Sequence, residues 1–223
     1  MPPLLITLAA ILAAYLLGSI PFALVASRVF GLADPRSYGS KNPGATNVLR
    51  SGHKGAAIFT LIGDVAKGWL AVFLASRYGP EYGLASATVG LVALAVFFGH
   101  LYPVFLAFKG GKGVATALGA FIGIHPLSAG VCFGLWLVIT ALTRYVSLGS
   151  VVGVAAAPLV LYLLAPEHNV ELAVGLAPLS LLVVGRHADN IERLRHGTEN
   201  RFGRKRMAAQ PEASGAPAET EGD

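Results

Sequence analysis

Leu84-Ala85-Ser86-Ala87-Thr88-Val89-Gly90-Leu91-Val92-Ala93-Leu94-Ala95-Val96-Phe97-Phe98-Gly99-His100-Leu101-Tyr102-Pro103-Val104-Phe105-Leu106-Ala107 contains no Asp, Glu, Lys or Arg. About 20 apolar residues are enough for a helix to cross a bilayer. The run is continuous rather than alternating, which argues against a strand of a membrane barrel. Outward from it the same pattern recurs. Spans read at about 4–27, 55–76, 84–107, 113–124, 127–143, 147–165 and 170–185. The fourth is too short for a full crossing: it begins inside the preceding Gly-rich loop or is incomplete. Glycine and proline occur within the runs, as membrane helices tolerate. The first run lacks a positive n-region and is long for a signal h-region, so it reads as a retained helix.

Composition agrees. Of 223 residues, 54% are hydrophobic and only 13% charged, against about 25% charged in a soluble domain. The mean hydropathy is +0.63. These values exclude a disordered chain and predict an integral membrane protein. The single cysteine, Cys132, excludes an intrachain disulfide framework and reads as packing.

Charge placement orients the chain. With seven spans, Arg28, Arg36, Lys41, Arg50, Lys54, Lys109, Lys112, Arg144 and every basic residue from Arg186 onward fall on one side. Only Arg77 falls on the other, and Lys67 lies within a span. The basic side is cytoplasmic. The expected fold class is therefore an all-α integral membrane protein with seven transmembrane helices, N-terminus outside and C-terminus cytoplasmic. A membrane domain spans 1–203. Residues 204–223 form a basic, then polar and disordered tail, whose Arg204, Lys205 and Arg206 meet anionic headgroups or anchor the topology.

Three polar segments face the cytoplasm. The first is Gly39-Ser40-Lys41-Asn42-Pro43-Gly44-Ala45-Thr46-Asn47-Val48-Leu49-Arg50. Ser40, Asn42, Thr46 and Asn47 donate and accept hydrogen bonds, and Arg50 offers a planar fork suited to phosphate. A capped helix start would use the same residue types. The second is Lys109-Gly110-Gly111-Lys112-Gly113-Val114-Ala115-Thr116. Glycines allow close backbone approach to an anion, and N–H groups at the following helix start can cradle it. Leu106 stands where a Walker A loop needs glycine, so nucleotide hydrolysis is not indicated. A flexible positive-inside turn is the plainer reading. The third runs from Gly185 through His187 and Asn190 to Arg201. His187 and Asn190 share a helical face, and histidine exchanges protons near neutral pH. An amphipathic interfacial helix explains the same segment without chemistry.

Within the second span, Asp64 and Lys67 lie three residues apart and are expected to pair. His100, His125 and His168 read as interfacial. No Cys/His cluster has metal spacing, and no Gly-x-Ser-x-Gly elbow occurs. Three segments bringing cations, amides and glycines to one face suit an anionic substrate at the membrane surface.

Over residues 10–203 the sequence resembles the bacterial acyl-phosphate:glycerol-3-phosphate acyltransferases. The likeness is carried by Gly18-Ser19-Ile20-Pro21, the 39–50 segment, Gly63-Asp64-Val65-Ala66-Lys67-Gly68, Gly99-His100 leading into the 109–116 loop, and residues 187–201. It implies a compact seven-helix bundle in the bacterial cytoplasmic (inner) membrane, with an active site open to the cytosol. It implies transfer of a fatty acyl group from acyl phosphate to the 1-hydroxyl of sn-glycerol 3-phosphate. The products would be lysophosphatidic acid and inorganic phosphate.

Carried over by resemblance, Ser40 and Arg50 belong to the first essential motif. Lys109, Gly110, Gly111 and Gly113 form the phosphate loop. Ser147 contacts substrate, His187 and Asn190 belong to the last motif, and Glu199 is structural. Asn42, Thr46, Asn47, Lys112 and Thr116 join the expected substrate-binding set, and Asp64 and Lys67 the structural one. No metal or cofactor is expected. The expected partners are the two substrates, membrane lipid and the enzyme that makes acyl phosphate, with no nucleic acid. The only His-x4-acid string is His187 to Glu192, with the wrong acid for a His-x4-Asp dyad; this favours substrate-assisted chemistry. A small organic-anion transporter is the alternative, since it too would need intramembrane charges and broken helices. The one-sided cations and the lack of an internal repeat count against it.

Overall fold

The structure is a computed structural model that describes residues 2–165 and 169–203. His168, Arg204, Lys205, Arg206 and the tail beyond lie outside the described residues. The described chain is helical: α1 Pro3–Gly18, α2 Phe22–Val29, α3 Ala45–Val48, α4 Lys54–Tyr78, α5 Ser86–Leu101, α6 Val114–Ile124, α7 Pro126–Thr143, α8 Val146–Leu164, α9 Asn169–Gly185 and α10 Ala188–Arg195. Among the described residues, four helical stretches are long and apolar enough to cross a membrane, or five if α1 and α2 form one bent span. Leu142, Leu181, Leu4 and Leu163 are each more than 60% exposed. Such an apolar exterior faces lipid rather than water.

One sequence expectation needs correction. The run 4–27 is not one helix, because α1 and α2 meet at an angle of 41°. Pro21 has no N–H to return to the Leu17 carbonyl, and its ring crowds the preceding turn. Of the two readings of the fourth run, the structure bears out the incomplete one: it does not extend into the Gly-rich loop. Its helix begins at Val114 and has 11 residues, about 16 Å at 1.5 Å per residue. The stretch 84–107 holds as a span over Ala87–Leu106, α-helical to Leu101: Pro103 keeps Tyr102 out of the helical region (φ −129°, ψ 61°), and a 3-10 turn follows at Val104–Leu106.

α6 is held by close packing on α4. Gly119 lies where a Cβ would come within 2.8 Å of the Val65 carbonyl carbon, and Gly68 answers it against Thr116 and Ala120. Small residues let membrane helices approach closely, which compensates for the absence of a hydrophobic driving force in lipid. Around this pair, Ala14, Val72, Val92, Val96 and Ala120 form one apolar cluster. Phe121, Cys132, Ala157, Leu161 and Leu176 form another, so Cys132 packs as expected.

The packing gathers several helix ends at one side. The ends of α1, α5 and α9 meet the starts of α6, α8 and α10 there. The connection between α2 and α4 joins them through Pro43, which shares a small pocket with Gly110 and Gly111.

Candidate active site

The break after α1 leaves the Ile20 carbonyl without a helical partner, since Leu24 and Val25 both donate to Pro21 instead. Lys67 of α4 donates to that carbonyl at 2.9 Å. Its Nζ also lies 2.8 Å from Asp64 Oδ1, and both side chains are at most 3% exposed. The expected pair therefore forms, and it also fastens the broken span. His100 is not interfacial: it is buried, with Nδ1 3.4 Å from Asp64 Oδ1 and 3.1 Å from Thr116 Oγ1. His125 instead caps α7, accepting from the Ser128 N–H at 3.3 Å.

The first polar segment is closed by one side chain. Asn47, 1% exposed, donates to the carbonyls of Pro35 (2.6 Å) and Tyr38 (3.2 Å) and accepts from the Ser40 N–H (2.9 Å). This is the structural role of a loop staple. Ser40, Thr46 and Arg50 are exposed and Asn42 is half-buried. The stem of Arg50 lies against Gly39, whose φ is +59°.

The glycine turn differs from its expected form. Gly110 and Gly111 do not offer free N–H groups, because they donate to the carbonyls of Leu101 (3.1 Å) and His100 (3.2 Å). Their lack of side chains serves packing instead. A Cβ on Gly111 would meet the His100 ring, with Cε1 and Cδ2 at 3.2 and 3.3 Å. The donors left for an anion belong to the start of α6, whose first N–H groups have no helical acceptor. Gly113 opens that helix at φ +81°, a conformation glycine adopts without strain. Thr116 is fully buried, and its hydroxyl is shared with His100.

The third segment closes over this turn. Arg186 donates to the carbonyls of Gly111 (3.2 Å) and Gly110 (3.5 Å), and its guanidinium stacks over Tyr102. Lys112 donates to Asn190 Oδ1. Asn190 in turn donates to Glu199 Oε1 at 2.7 Å, Ser147 donates to the same oxygen at 2.9 Å, and Arg193 holds Oε2 at 2.8 Å. Four residues expected at the site, namely Lys112, Ser147, Asn190 and Glu199, thus form one network. Ser40, Asn42 and Thr46 make no side-chain hydrogen bond to it among the described residues. Lys109 is exposed beside the turn.

The electrostatics favour an anion. Burial pushes Lys112 below the usual lysine range, and the charges of Arg193 and Arg186 push further against the partial compensation of Glu199 and Asp189. Burial raises Glu199, but hydrogen bonds from Asn190, Arg193 and Ser147 outweigh it and hold the carboxyl low and ionised. His187 is 3% exposed, and burial brings its pKa down to about 4. Its Nδ1 lies 2.7 Å from the Val183 carbonyl. A carbonyl only accepts, so Nδ1 carries the proton and Nε2 the lone pair.

Sequence reasoning missed Arg186, Arg193 and His100. Arg186 and Arg193 stood in the third segment as positive-inside charges. His100 was marked only by its place in Gly99-His100, ahead of the glycine turn. No metal-holding group of His, Cys, Asp and Glu exists among the described residues.

A sequence model described as glycerol-3-phosphate acyltransferase matches residues 8–197. The chain is similar to the glycerol-3-phosphate acyltransferase of Laribacter hongkongensis, at 53% identity over 202 residues, covering 91% of this chain and 99% of that protein. It is as similar to that of Dechloromonas aromatica, at 53% over 199 residues, covering 89% and 98%. Among solved structures it resembles PlsY, an integral membrane glycerol 3-phosphate acyltransferase, in its glycerol 3-phosphate form. That match has a TM-score of 0.81 and 39% identity, covering 88% of this chain and 96% of the other. The lysophosphatidic acid form matches with a TM-score of 0.80 and 38% identity, covering 88% and 95%.

Proposed function

The chain belongs to the glycerol-3-phosphate acyltransferase family, and on that premise we propose that it acylates the 1-hydroxyl of sn-glycerol 3-phosphate with an acyl group taken from acyl phosphate. The products are lysophosphatidic acid and inorganic phosphate. The catalytic unit is residues 1–203, arranged as seven spans. The N-terminus lies outside, and the site faces the cytosol in a bacterial inner membrane. The apolar portions of α6 and α9 count as the two spans shorter than a full crossing.

One observation carries the reading: cations and polar groups from separate parts of the chain surround the glycine turn, with Arg186 and Lys112 bridging it to the third segment. Both substrates are phosphorylated. Bringing two anions together costs a few kcal/mol, on the order set by Coulomb's law at an effective dielectric near 20. Arg50, Lys109, Lys112 and the N–H groups of α6 offset that cost and stabilise charge on the departing phosphate. Ser40, Asn42, Thr46 and Ser147 orient the substrates, and Asn190 sets Lys112.

Acyl phosphate is already activated, so no covalent enzyme intermediate is required. The glycerol hydroxyl oxygen bonds to the acyl carbon. The carbon–oxygen bond to phosphate breaks, and phosphate leaves with the electron pair. Neutral His187 is in the right state to accept the hydroxyl proton, and the departing phosphate is the competing acceptor. The acyl chain lies between helices, reached from lipid.

The purified protein in detergent, given glycerol 3-phosphate and in turn acyl phosphate, acyl-CoA or acyl carrier protein, tests this. Lysophosphatidic acid is expected from acyl phosphate. Product from only the other donors would refute the donor assignment.

A further inference from the structure

We propose that His100 is a positioning residue that sets the glycine turn for glycerol 3-phosphate, through a buried connection running back to the broken first span. The inference rests on the reading of residues 109–113 as the place where that phosphate binds.

The His100 ring touches both ends of the turn. Gly111 lies against one side, where only glycine leaves room. On the other, Nδ1 shares a hydrogen bond of 3.1 Å with Thr116, in the first turn of α6. The ring thus sits between the turn and the helix whose N–H groups the turn presents. Backbone bonds from Gly110 and Gly111 hold the turn's entry, but nothing in them sets its spacing from α6.

His100 is itself held from behind. Asp64 Oδ1 lies 3.4 Å from Nδ1. Lys67 fixes that carboxylate at 2.8 Å and is tethered to the Ile20 carbonyl at 2.9 Å. Each of these side chains is buried. Asp64 Oδ1 meets Lys67 and His100 as close charge contacts without a hydrogen bond to either, and a buried charge held in this way resists displacement, because moving a partner leaves it uncompensated in a medium that penalises it. Asp64, Lys67 and His100 line a small pocket together with Gly110 and Gly111. A shift of the ring therefore moves the turn, and the expected effect falls on the substrate bound there rather than on the acyl donor.

The test is steady-state kinetics of purified His100→Ala, His100→Asn and Thr116→Val, with both substrates varied, using the donor that the wild type turns over. Thermal unfolding is measured alongside. His100→Ala is expected to raise the KM for glycerol 3-phosphate about tenfold, the size of one lost buried hydrogen bond. Its kcat and the KM for the acyl donor should stay within about threefold. His100→Asn keeps a polar group near the Nδ1 position and should recover much of the loss. Thr116→Val, which keeps the shape, should move the same constant in the same direction by less. A wild-type KM for glycerol 3-phosphate in folded His100→Ala overturns the proposal. So does an equal change in kcat and both KM values, which a merely structural histidine would produce. If His100→Ala does not fold, the other two variants decide by the same criterion. A wild type that uses only acyl-CoA overturns the donor assignment and leaves these measurements to be made with acyl-CoA.

Discussion

The first polar loop and the glycine turn are built in opposite ways. The loop is closed from within: Asn47 reaches Pro35, Tyr38 and Ser40, all within twelve positions of itself. The turn is held from outside, by carbonyls at the end of α5, the His100 ring, and Arg186 and Asn190 from some 75 positions along the chain. The loop is anchored to α2 and α4 through Val48, but its polar closure can be altered without moving the glycine turn. A segment organised by distant residues reports on how those helices pack.

The sharpest test of the first loop is Arg50→Ala. Removing a cation that stabilises transition-state charge should lower kcat/KM about 10²–10³-fold, while the protein still elutes as a folded species. Near-normal turnover would deny Arg50 a phosphate contact. On the other side of the comparison, His187→Gln should lower kcat by about 10²-fold if the imidazole takes the proton. A loss below tenfold assigns the proton to the departing phosphate.

Asn47→Ala should cost roughly tenfold in activity through disorder of the loop, since a lost partner for buried groups costs about 1–3 kcal/mol. Asn47→Asp keeps the acceptor for Ser40 but turns a carboxylate oxygen towards the Pro35 and Tyr38 carbonyls, and should lose at least as much. Both changes should leave the KM response of Gly111→Ala unaltered, and a strong coupling between them in a double mutant would erase the distinction between the two regions. Gly111→Ala alone places a methyl against His100 and should raise the KM for glycerol 3-phosphate several-fold. A change confined to acyl-chain preference would contradict this.

The smallest effect concerns acid. Folded His187 has its pKa lowered to about 4, whereas in the unfolded chain it is near 6.5. As pH falls from 7 towards 4 the unfolded state takes up a proton that the folded state refuses, so stability falls. Wild type should therefore lose more Tm than His187→Gln between pH 7 and pH 5. Equal losses would mean that His187 titrates normally.

The same division separates the features written in residue type from those made by tertiary contact. The stretch 84–107 and its counterparts disclosed a membrane helix protein because lipid exposure imposes a composition that a single sequence displays. The cationic segments and the Asp64–Lys67 pair were legible because their chemistry depends on residue type and on spacing within a turn or two. The 41° break after α1 was marked by Pro21, yet its consequence, a carbonyl caught by Lys67, was not. Likewise, Thr116 and the Gly110 and Gly111 N–H groups looked like ligands and proved to be engaged with α5. Sequence alone determined the solvent this chain folds in and the charge it gathers. Which donor meets which acceptor was decided only in three dimensions, because hydrogen bonds form between atoms about 3 Å apart, and proximity of that kind comes from helix packing rather than from order along the chain.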